Sequence, residues 1–110
     1  MIKIIYVTDS KSAPQIKEIQ PTLDGYRNVL PEAGFRCSMV LAPTGGDYGE
    51  CAYSVNDAKL RRFPFNRKIE IIGDLYGPFF LAARDGNWQP CSIREDRIQY
   101  WMNLLTKVGN

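Results

Sequence analysis

The chain begins with a run of apolar, mostly β-branched residues over positions 2–7, with one lysine inside it. Apolar residues on both faces of such a run predict a well-buried strand. Residues 14–19 predict a short edge strand, because a leading proline and interspersed charges are tolerated at a sheet edge. Thr22 then predicts the N-cap of a short helix near 22–30, whose apolar positions recur with helical spacing.

Residues 35–41 alternate between apolar and polar positions, which predicts a half-buried strand. A turn-rich loop over 43–49 follows, and residues 51–55 predict the partner strand across it. The loop is rich in glycine but lacks the spacing of a phosphate-binding loop, so it predicts a mobile hairpin tip rather than an anion site. Tyr48 is the candidate contact residue of this loop.

The second half of the chain predicts an irregular loop over 59–68, followed by strands at 69–72 and 76–83. The Asp-Gly-Asn turn at 85–87 predicts a hairpin into residues 88–91. Short strands joined by tight turns indicate antiparallel pairing in this half of the chain.

Ser92 and Glu95 fit the capping-box pattern, in which the serine hydroxyl accepts from the amide three residues on and the glutamate reaches back. A C-terminal helix is therefore predicted near 93–107. Its apolar residues have the spacing of a helix face that packs on a sheet. These residues are Ile98, Trp101, Met102 and Leu105.

Together these elements predict a single α+β domain over residues 1–110, with an antiparallel or mixed sheet of about five to six strands covered by two helices. The composition agrees, since 110 residues with 45% hydrophobic and 24% charged residues are typical of one globular domain. A core of this size does not require disulfides or a structural metal.

The residue types that are missing limit the candidate chemistry. The chain has 3 cysteines at wide spacing and no histidine, so it offers no CxxC pair, no mixed zinc site and no Ser-His or Cys-His dyad. An enzyme based on carboxylates or a tyrosine is disfavoured, because no base or nucleophile is positioned for it. We therefore expect no metal, no cofactor and no enzymatic activity.

The chain also lacks the patterns of membrane proteins. No apolar run approaches the roughly 20 residues that span a bilayer. The first residues predict a strand rather than a signal peptide. We therefore expect a cytoplasmic protein that does not associate with membranes.

Four segments of the second half form a recognisable pattern. They are Asn56-Asp57-Ala58-Lys59-Leu60, Pro64-Phe65-Asn66-Arg67, Gly77-Pro78-Phe79-Phe80-Leu81 and the helix start at Ser92. Over residues 54–105 the chain resembles domain-of-unknown-function family 3846, a family of small bacterial, plasmid and phage proteins. Two departures are Arg94, where the family usually has a capping threonine, and the longer loop at 43–49. The resemblance implies an origin in phages or mobile elements and an accessory role, with no assigned activity.

The basic-aromatic segment at 59–68 is the main candidate binding site. Its cations are Lys59, Arg61, Arg62, Arg67 and Lys68, and Phe63 and Phe65 lie between them. Guanidinium groups bind phosphates and carboxylates bidentately and aromatic rings stack on bases, so the segment is suited to nucleic acid, a nucleotide or an acidic protein surface. The structural alternative is that Asn66 satisfies backbone groups, Arg67 pairs with a carboxylate and the phenylalanines are core residues.

Trp88, next to the turn at 85–87, is a further candidate contact residue, because aromatic side chains dominate interface hot spots. The formal net charge of +2 is too small to indicate nucleic-acid binding by itself.

The leading hypothesis is a non-enzymatic accessory protein that binds and modulates a host protein, such as a host-defence component, in the manner of anti-restriction and anti-CRISPR proteins. The alternative is an anion-binding module for nucleic acid or a nucleotide-like ligand that uses residues 59–68. In addition, an uncovered edge strand at 16–19 would permit a two-fold homodimer.

Overall fold

The computed structural model describes the backbone of residues 1–30, 35–44 and 47–108, and the side chains of residues 1–30 and 47–106. This part of the chain contains eight strands and two helices, which confirms the predicted α+β class. They are β1 (Ile2–Val7), β2 (Gln15–Ile19), α1 (Leu23–Val29), β3 (Phe35–Thr44), β4 (Tyr48–Val55), β5 (Phe65–Ile69), β6 (Gly73–Tyr76), β7 (Phe79–Asp85), β8 (Pro90–Cys91) and α2 (Glu95–Val108).

The main sheet has the strand order β2-β1-β7-β4-β3, and the short β8 pairs with β7. All of the described pairings in this sheet are antiparallel. Strands β5 and β6 form a separate two-stranded sheet. The predicted strand at 2–7 and its predicted edge partner are both confirmed, as β1 and β2.

A helix covers each face of the main sheet. Ile5 of β1 shares a core cluster with Trp101 of α2. The preceding residue, Ile4, shares a second cluster with Tyr26 of α1. Because successive strand residues point to opposite faces, both faces of β1 are buried, as its continuous apolar run predicts.

The two helices begin in different ways. Thr22 caps α1, since its Oγ1 accepts a hydrogen bond from the Gly25 amide at 3.1 Å, as predicted. The predicted capping box of α2 is wrong. The Ser92 hydroxyl accepts from the Lys3 amide at 2.9 Å, and the Glu95 carboxylate binds the Lys3 ammonium group at 3.3 Å. Because the Ser92 and Glu95 side chains bind Lys3 of β1 and do not cap the helix, α2 begins at Glu95 rather than near residue 93.

The predicted strand at 69–72 is wrong. Strand β5 ends at Ile69, and residues 70–72 turn into β6, with a hydrogen bond from the Ile72 amide to the Ile69 carbonyl at 3.0 Å. Gly73 has a φ of 88°, a conformation that L side chains rarely adopt. The chain therefore reverses within an apolar run that resembles a continuous strand.

The strand predicted at 76–83 begins later, at Phe79. Gly77 before it has a φ of 72°, and a Cβ at this position would lie 2.8 Å from the Phe63 ring. This close approach requires glycine and separates β6 from β7.

The loop predicted at 43–49 is much shorter in the structure. Strand β3 runs to Thr44, β4 begins at Tyr48, and these two residues lie opposite each other in the register. Gly45 and Gly46 lie outside the described residues. Thr44, Tyr48 and Gly49, which the sequence assigns to the loop, are therefore paired strand residues.

Candidate functional site

Residues 57–62, between β4 and β5, form a compact turn that we call the basic turn. Backbone hydrogen bonds inside it run from the Arg61 amide to the Asp57 carbonyl at 2.9 Å and from the Arg62 amide to the Lys59 carbonyl at 3.1 Å. These bonds fix the backbone from which the side chains project. The basic turn is therefore an ordered element rather than the irregular loop predicted at 59–68.

Two residues of the basic turn have left-handed backbone conformations. Asp57 has a φ of 55° and Arg62 a φ of 64°. Aspartate tolerates this region, but for an arginine it costs about 1 kcal/mol relative to glycine. The turn thus carries an exposed guanidinium group at a position where glycine would fit without strain.

The exposed side chains of the basic turn combine positive charge with one large apolar group. Leu60 is 82% exposed. Lys59, Arg61 and Arg62 beside it are also exposed. The Arg61 guanidinium lies 5.3 Å from the ring centre of Phe63, within range of a cation–π contact. The result is a small apolar tip surrounded by cations.

A cleft of about 360 Å³ lies between the basic turn and β6. Asp57 and Asp74 line it with carboxylates, and Lys59 supplies one ammonium group, 5.8 Å from the ring centre of Tyr76. Two carboxylates beside one ammonium group repel a phosphate more than they attract it. The cleft is therefore not suited to an anion.

Arg67, one of the predicted binding residues, is only 2% exposed. Its guanidinium group donates to the carbonyls of Leu105 at 2.8 Å, Asp9 at 2.9 Å and Ser12 at 2.8 Å. Burial lowers the pKa of Arg67 below its usual value. Arg67 therefore belongs to the interior and not to a ligand-contacting surface, because its donors tie β5 to α2 and to the chain after β1.

Asn66 completes the same arrangement. Its Nδ2 donates to the carbonyls of Val7 at 3.3 Å and Gly77 at 2.8 Å, and its Oδ1 accepts from Arg67 at 2.9 Å. The alternative prediction for Asn66, that its side chain satisfies backbone groups, therefore agrees with the structure. For Arg67 the described partners are backbone carbonyls and the Asn66 side chain rather than a carboxylate.

Tyr48 is only 3% exposed, so it is not the contact residue of a mobile hairpin tip. Its hydroxyl donates to the Glu50 carboxylate at 2.8 Å and accepts from the Arg94 amide at 3.1 Å. Burial is the main cause that raises the pKa of Tyr48 above its usual value. The aromatic ring anchors the start of β4 under α2.

Glu50 is a buried polar centre that the sequence did not predict. The side chain is 0% exposed, and its carboxylate accepts from the Arg97 guanidinium at 2.8 Å and from the Trp101 indole nitrogen at 2.8 Å. The alternation of β4 puts Glu50 on the same face as Tyr48, and Arg97 and Trp101 are one helical turn apart. These two spacings, on β4 and on α2, are the sequence signal that could have predicted the buried centre. Its groups bind one another, and the Glu50 carboxylate at the centre is fully buried.

The remaining predicted binding residues lie apart from the basic turn. Trp88 is 64% exposed in the β7–β8 connection, and its φ is 63°. Asp85 just before it pairs with the start of β4, whereas the basic turn follows the end of β4, so the two lie at opposite ends of the sheet. Lys68 is exposed on β5, facing a groove beside α2. The predicted residues that come together are Lys59, Arg61 and Arg62.

In comparisons with known proteins, no family model, curated protein or solved structure matches the chain. The resemblance over residues 54–105 therefore stays a prediction. Neither helix in the described part of the chain is long and apolar enough to span a bilayer. Within residues 1–30, 35–44 and 47–108, no cluster of His, Cys, Asp and Glu could hold a metal ion.

Proposed function

We propose that this chain is a non-enzymatic accessory protein of phage or mobile-element type, which binds and modulates a host protein through the basic turn. The observation that carries the proposal is Leu60, which is 82% exposed on a hydrogen-bonded turn of cations. An apolar anchor surrounded by arginines is the pattern of a protein interface, in which a few residues supply most of the binding free energy.

The charge of the turn specifies the kind of partner surface. Lys59, Arg61 and Arg62 favour an acidic surface, and Leu60 requires an apolar pocket within it. The resemblance to plasmid and phage proteins supports the accessory role. A host-defence component, of the class targeted by anti-restriction and anti-CRISPR proteins, is the partner to test first.

The polar groups of the interior support a binding role over a catalytic one. The Glu50 carboxylate accepts hydrogen bonds from Tyr48 and Arg97 at 2.8 to 3.3 Å. A general acid or base must reach a substrate proton, and the fully buried Glu50 carboxylate has its oxygens occupied by neighbours.

The second candidate is binding of nucleic acid or a nucleotide-like anion, and the three exposed cations on one turn favour it. The exposed leucine among them and the carboxylates of Asp57 and Asp74 in the adjoining cleft disfavour it. The two candidates differ in salt dependence, because phosphate contacts release counterions and weaken steeply as salt increases.

The experiment is capture from host lysate on the immobilised chain, with and without nuclease. The Leu60→Ser variant removes the apolar anchor, and an Arg61→Glu, Arg62→Glu variant reverses the charge. A Lys11→Glu, Lys17→Glu variant is the matched control, since it makes the same change of charge at exposed positions near β1 and β2. Circular dichroism must first show that all the variants are folded.

The proposal predicts one host protein that is retained after nuclease treatment, lost with both variants of the basic turn and kept by the control. Loss of that protein from the control variant as well would contradict the assignment to the basic turn. Retention of nucleic acid alone, removed by moderate salt and unaffected by Leu60→Ser, would replace the proposal with the anion-binding function.

A further inference from the structure

A second surface lies on the α2 side of the molecule, away from the residues of the basic turn. An apolar groove of about 410 Å³ runs between the β5–β6 hairpin and α2. Ile69 and Trp101 are the buried residues that line it, and Leu104 and the half-exposed ring of Tyr100 continue it along the helix. The groove is thus an apolar depression that is open to solvent.

The hairpin that forms one wall of the groove also contributes an exposed apolar side chain, Ile71, to the lining of the groove. Ile71 lies in the turn between β5 and β6 and is 56% exposed, although isoleucine is among the residue types most often fully buried. The groove therefore has an exposed apolar side chain at its own edge, beside the buried residues that line it.

Two opposite charges flank this side chain. Lys68 and Glu70 both line the groove and both are exposed. In the described part of the chain, neither forms an ion pair. Asp74 lies opposite Lys68 in the strand register, but the two do not form a salt bridge either.

A surface with these features is complementary to itself. In a two-fold interface the same patch occurs on both subunits, so residue i of one copy meets residue j of the other and the reverse contact follows. An exposed apolar side chain at the edge of an apolar depression, and a cation beside an anion, can each meet the complementary feature of a second copy. A different partner would have to provide both features independently.

We propose that this surface binds a second copy of the chain. In the two-fold dimer, Ile71 of each copy enters the groove of the other between Tyr100 and Leu104. Lys68 of each copy then pairs with Glu70 of the other. This surface is distinct from the basic turn, which lines none of the groove.

The edge strand β2 is a less suitable route to a dimer. An antiparallel pair across a two-fold axis normal to the sheet places one residue opposite its own copy. Centring the axis on Lys17 or Glu18 places like charges opposite each other, which is unfavourable. Centring it on Ile16 brings Pro14, which lacks an amide hydrogen, opposite Glu18.

The first test is analytical ultracentrifugation from about 1 µM to about 1 mM, the range that covers weak association. The proposal predicts a reversible dimer for the wild type. Ile71→Asp should raise the dimer Kd at least about tenfold, because it puts a charge into the apolar groove. Leu23→Asp is the matched control, since Leu23 is 54% exposed on α1 and should leave the Kd unchanged.

The second test exchanges the charges. Lys68→Glu and Glu70→Lys should each weaken self-association, because each brings two like charges together. An equimolar mixture of the two variants should restore it as a heterodimer, in which both ion pairs form again. A wild type that is monomeric throughout this range would overturn the proposal. So would a dimer that survives Ile71→Asp, or one that Lys17→Glu abolishes, which would place the contact on β2.

Discussion

Arg62 and Arg67 belong to the same basic segment, yet they have opposite surroundings. Arg62 is exposed on a turn, in a left-handed conformation. Arg67 is 2% exposed and donates five hydrogen bonds, four to backbone carbonyls and one to the side-chain Oδ1 of Asn66. A run of cations therefore does not define one electrostatic surface. The backbone decides which cations are exposed. An irregularity in β5 between Phe65 and Arg67 lets the neighbouring side chains of Asn66 and Arg67 both lie inside, while the turn before β5 projects its cations outward.

The interior also accommodates its charges in two ways. Arg67 is surrounded by neutral carbonyls, whereas Arg97 is paired with the buried Glu50 carboxylate. A planar guanidinium group with five donors can satisfy several carbonyls from different segments at once. Arg67 thus holds the chain after β1, β5 and α2 together, while the Arg97 pair joins only β4 and α2.

The largest expected effect tests the contrast between the two arginines. Arg67→Ala leaves the carbonyls of Leu105, Asp9 and Ser12 without their donors, so we expect the free energy of unfolding to fall by about 4 kcal/mol. Arg62→Ala, at an exposed position, should change it by less than about 0.5 kcal/mol. Urea denaturation followed by tryptophan fluorescence measures both values.

Arg67→Lys refines this test if the alanine variant does not fold. It keeps the charge but loses the planar fork, so we expect an intermediate loss of about 2 kcal/mol. Equal stability losses at Arg62 and Arg67 would contradict the division between surface and interior.

The next effect concerns the buried carboxylate. Glu50→Gln keeps the shape of the side chain but leaves Arg97 without an opposite charge, and we expect a loss of about 3 kcal/mol. Combining it with Arg97→Met should recover part of that loss, because the unpaired charge is removed too. A double-mutant cycle by urea denaturation gives the coupling free energy, and simple additivity of the two losses would show that the pair is not coupled.

Tyr48 gives a smaller effect whose size depends on pH. Tyr48→Phe removes the hydrogen bonds to Glu50 and from Arg94, so near pH 7 we expect a loss of about 1 kcal/mol. The folded protein raises the pKa of Tyr48 above its usual value, mainly through burial. The unfolded chain therefore releases its proton first as pH rises, and wild-type stability falls above the unfolded pKa.

The Tyr48→Phe variant has no such proton to release. The difference in free energy of unfolding between the wild type and this variant should therefore shrink between about pH 8 and about pH 11. Urea denaturation at the two pH values measures the change. If the difference in free energy of unfolding stays constant across this range, Tyr48 ionises as readily in the folded protein as in the unfolded chain.

The elements that the sequence predicted well are those whose signal is local. The apolar run of β1, the Thr22 cap of α1 and the hairpin after β7 all depend on neighbouring residues, and the structure has all three. The start of α2 was predicted wrongly because a distant segment competes for the same group. Ser92 has the sequence of a helix cap, but the amide that it binds belongs to Lys3, 89 residues away.

The candidate site divides in the same way. The exposure of Lys59, Arg61 and Arg62 follows from their place in a turn, so the sequence could predict it. The burial of Arg67 depends on carbonyls of Asp9, Ser12 and Leu105, which are distant in the sequence and meet only in the folded chain. The Glu50 centre requires the same long-range knowledge, namely that α2 lies over β4.

The smallest effect tests the surface side of the comparison. Arg62→Gly releases about 1 kcal/mol of left-handed strain, and the greater freedom of glycine in the unfolded chain offsets part of it, so we expect a net gain of about 0.5 kcal/mol. Lys59→Gly, where the backbone has no such strain, should instead lose about 0.5 to 1 kcal/mol. If the guanidinium group of Arg62 contacts the partner, Arg62→Gly should weaken capture of the host protein while it stabilises the fold. Stability and binding that change in the same direction would show that Arg62 acts only through the backbone of the turn.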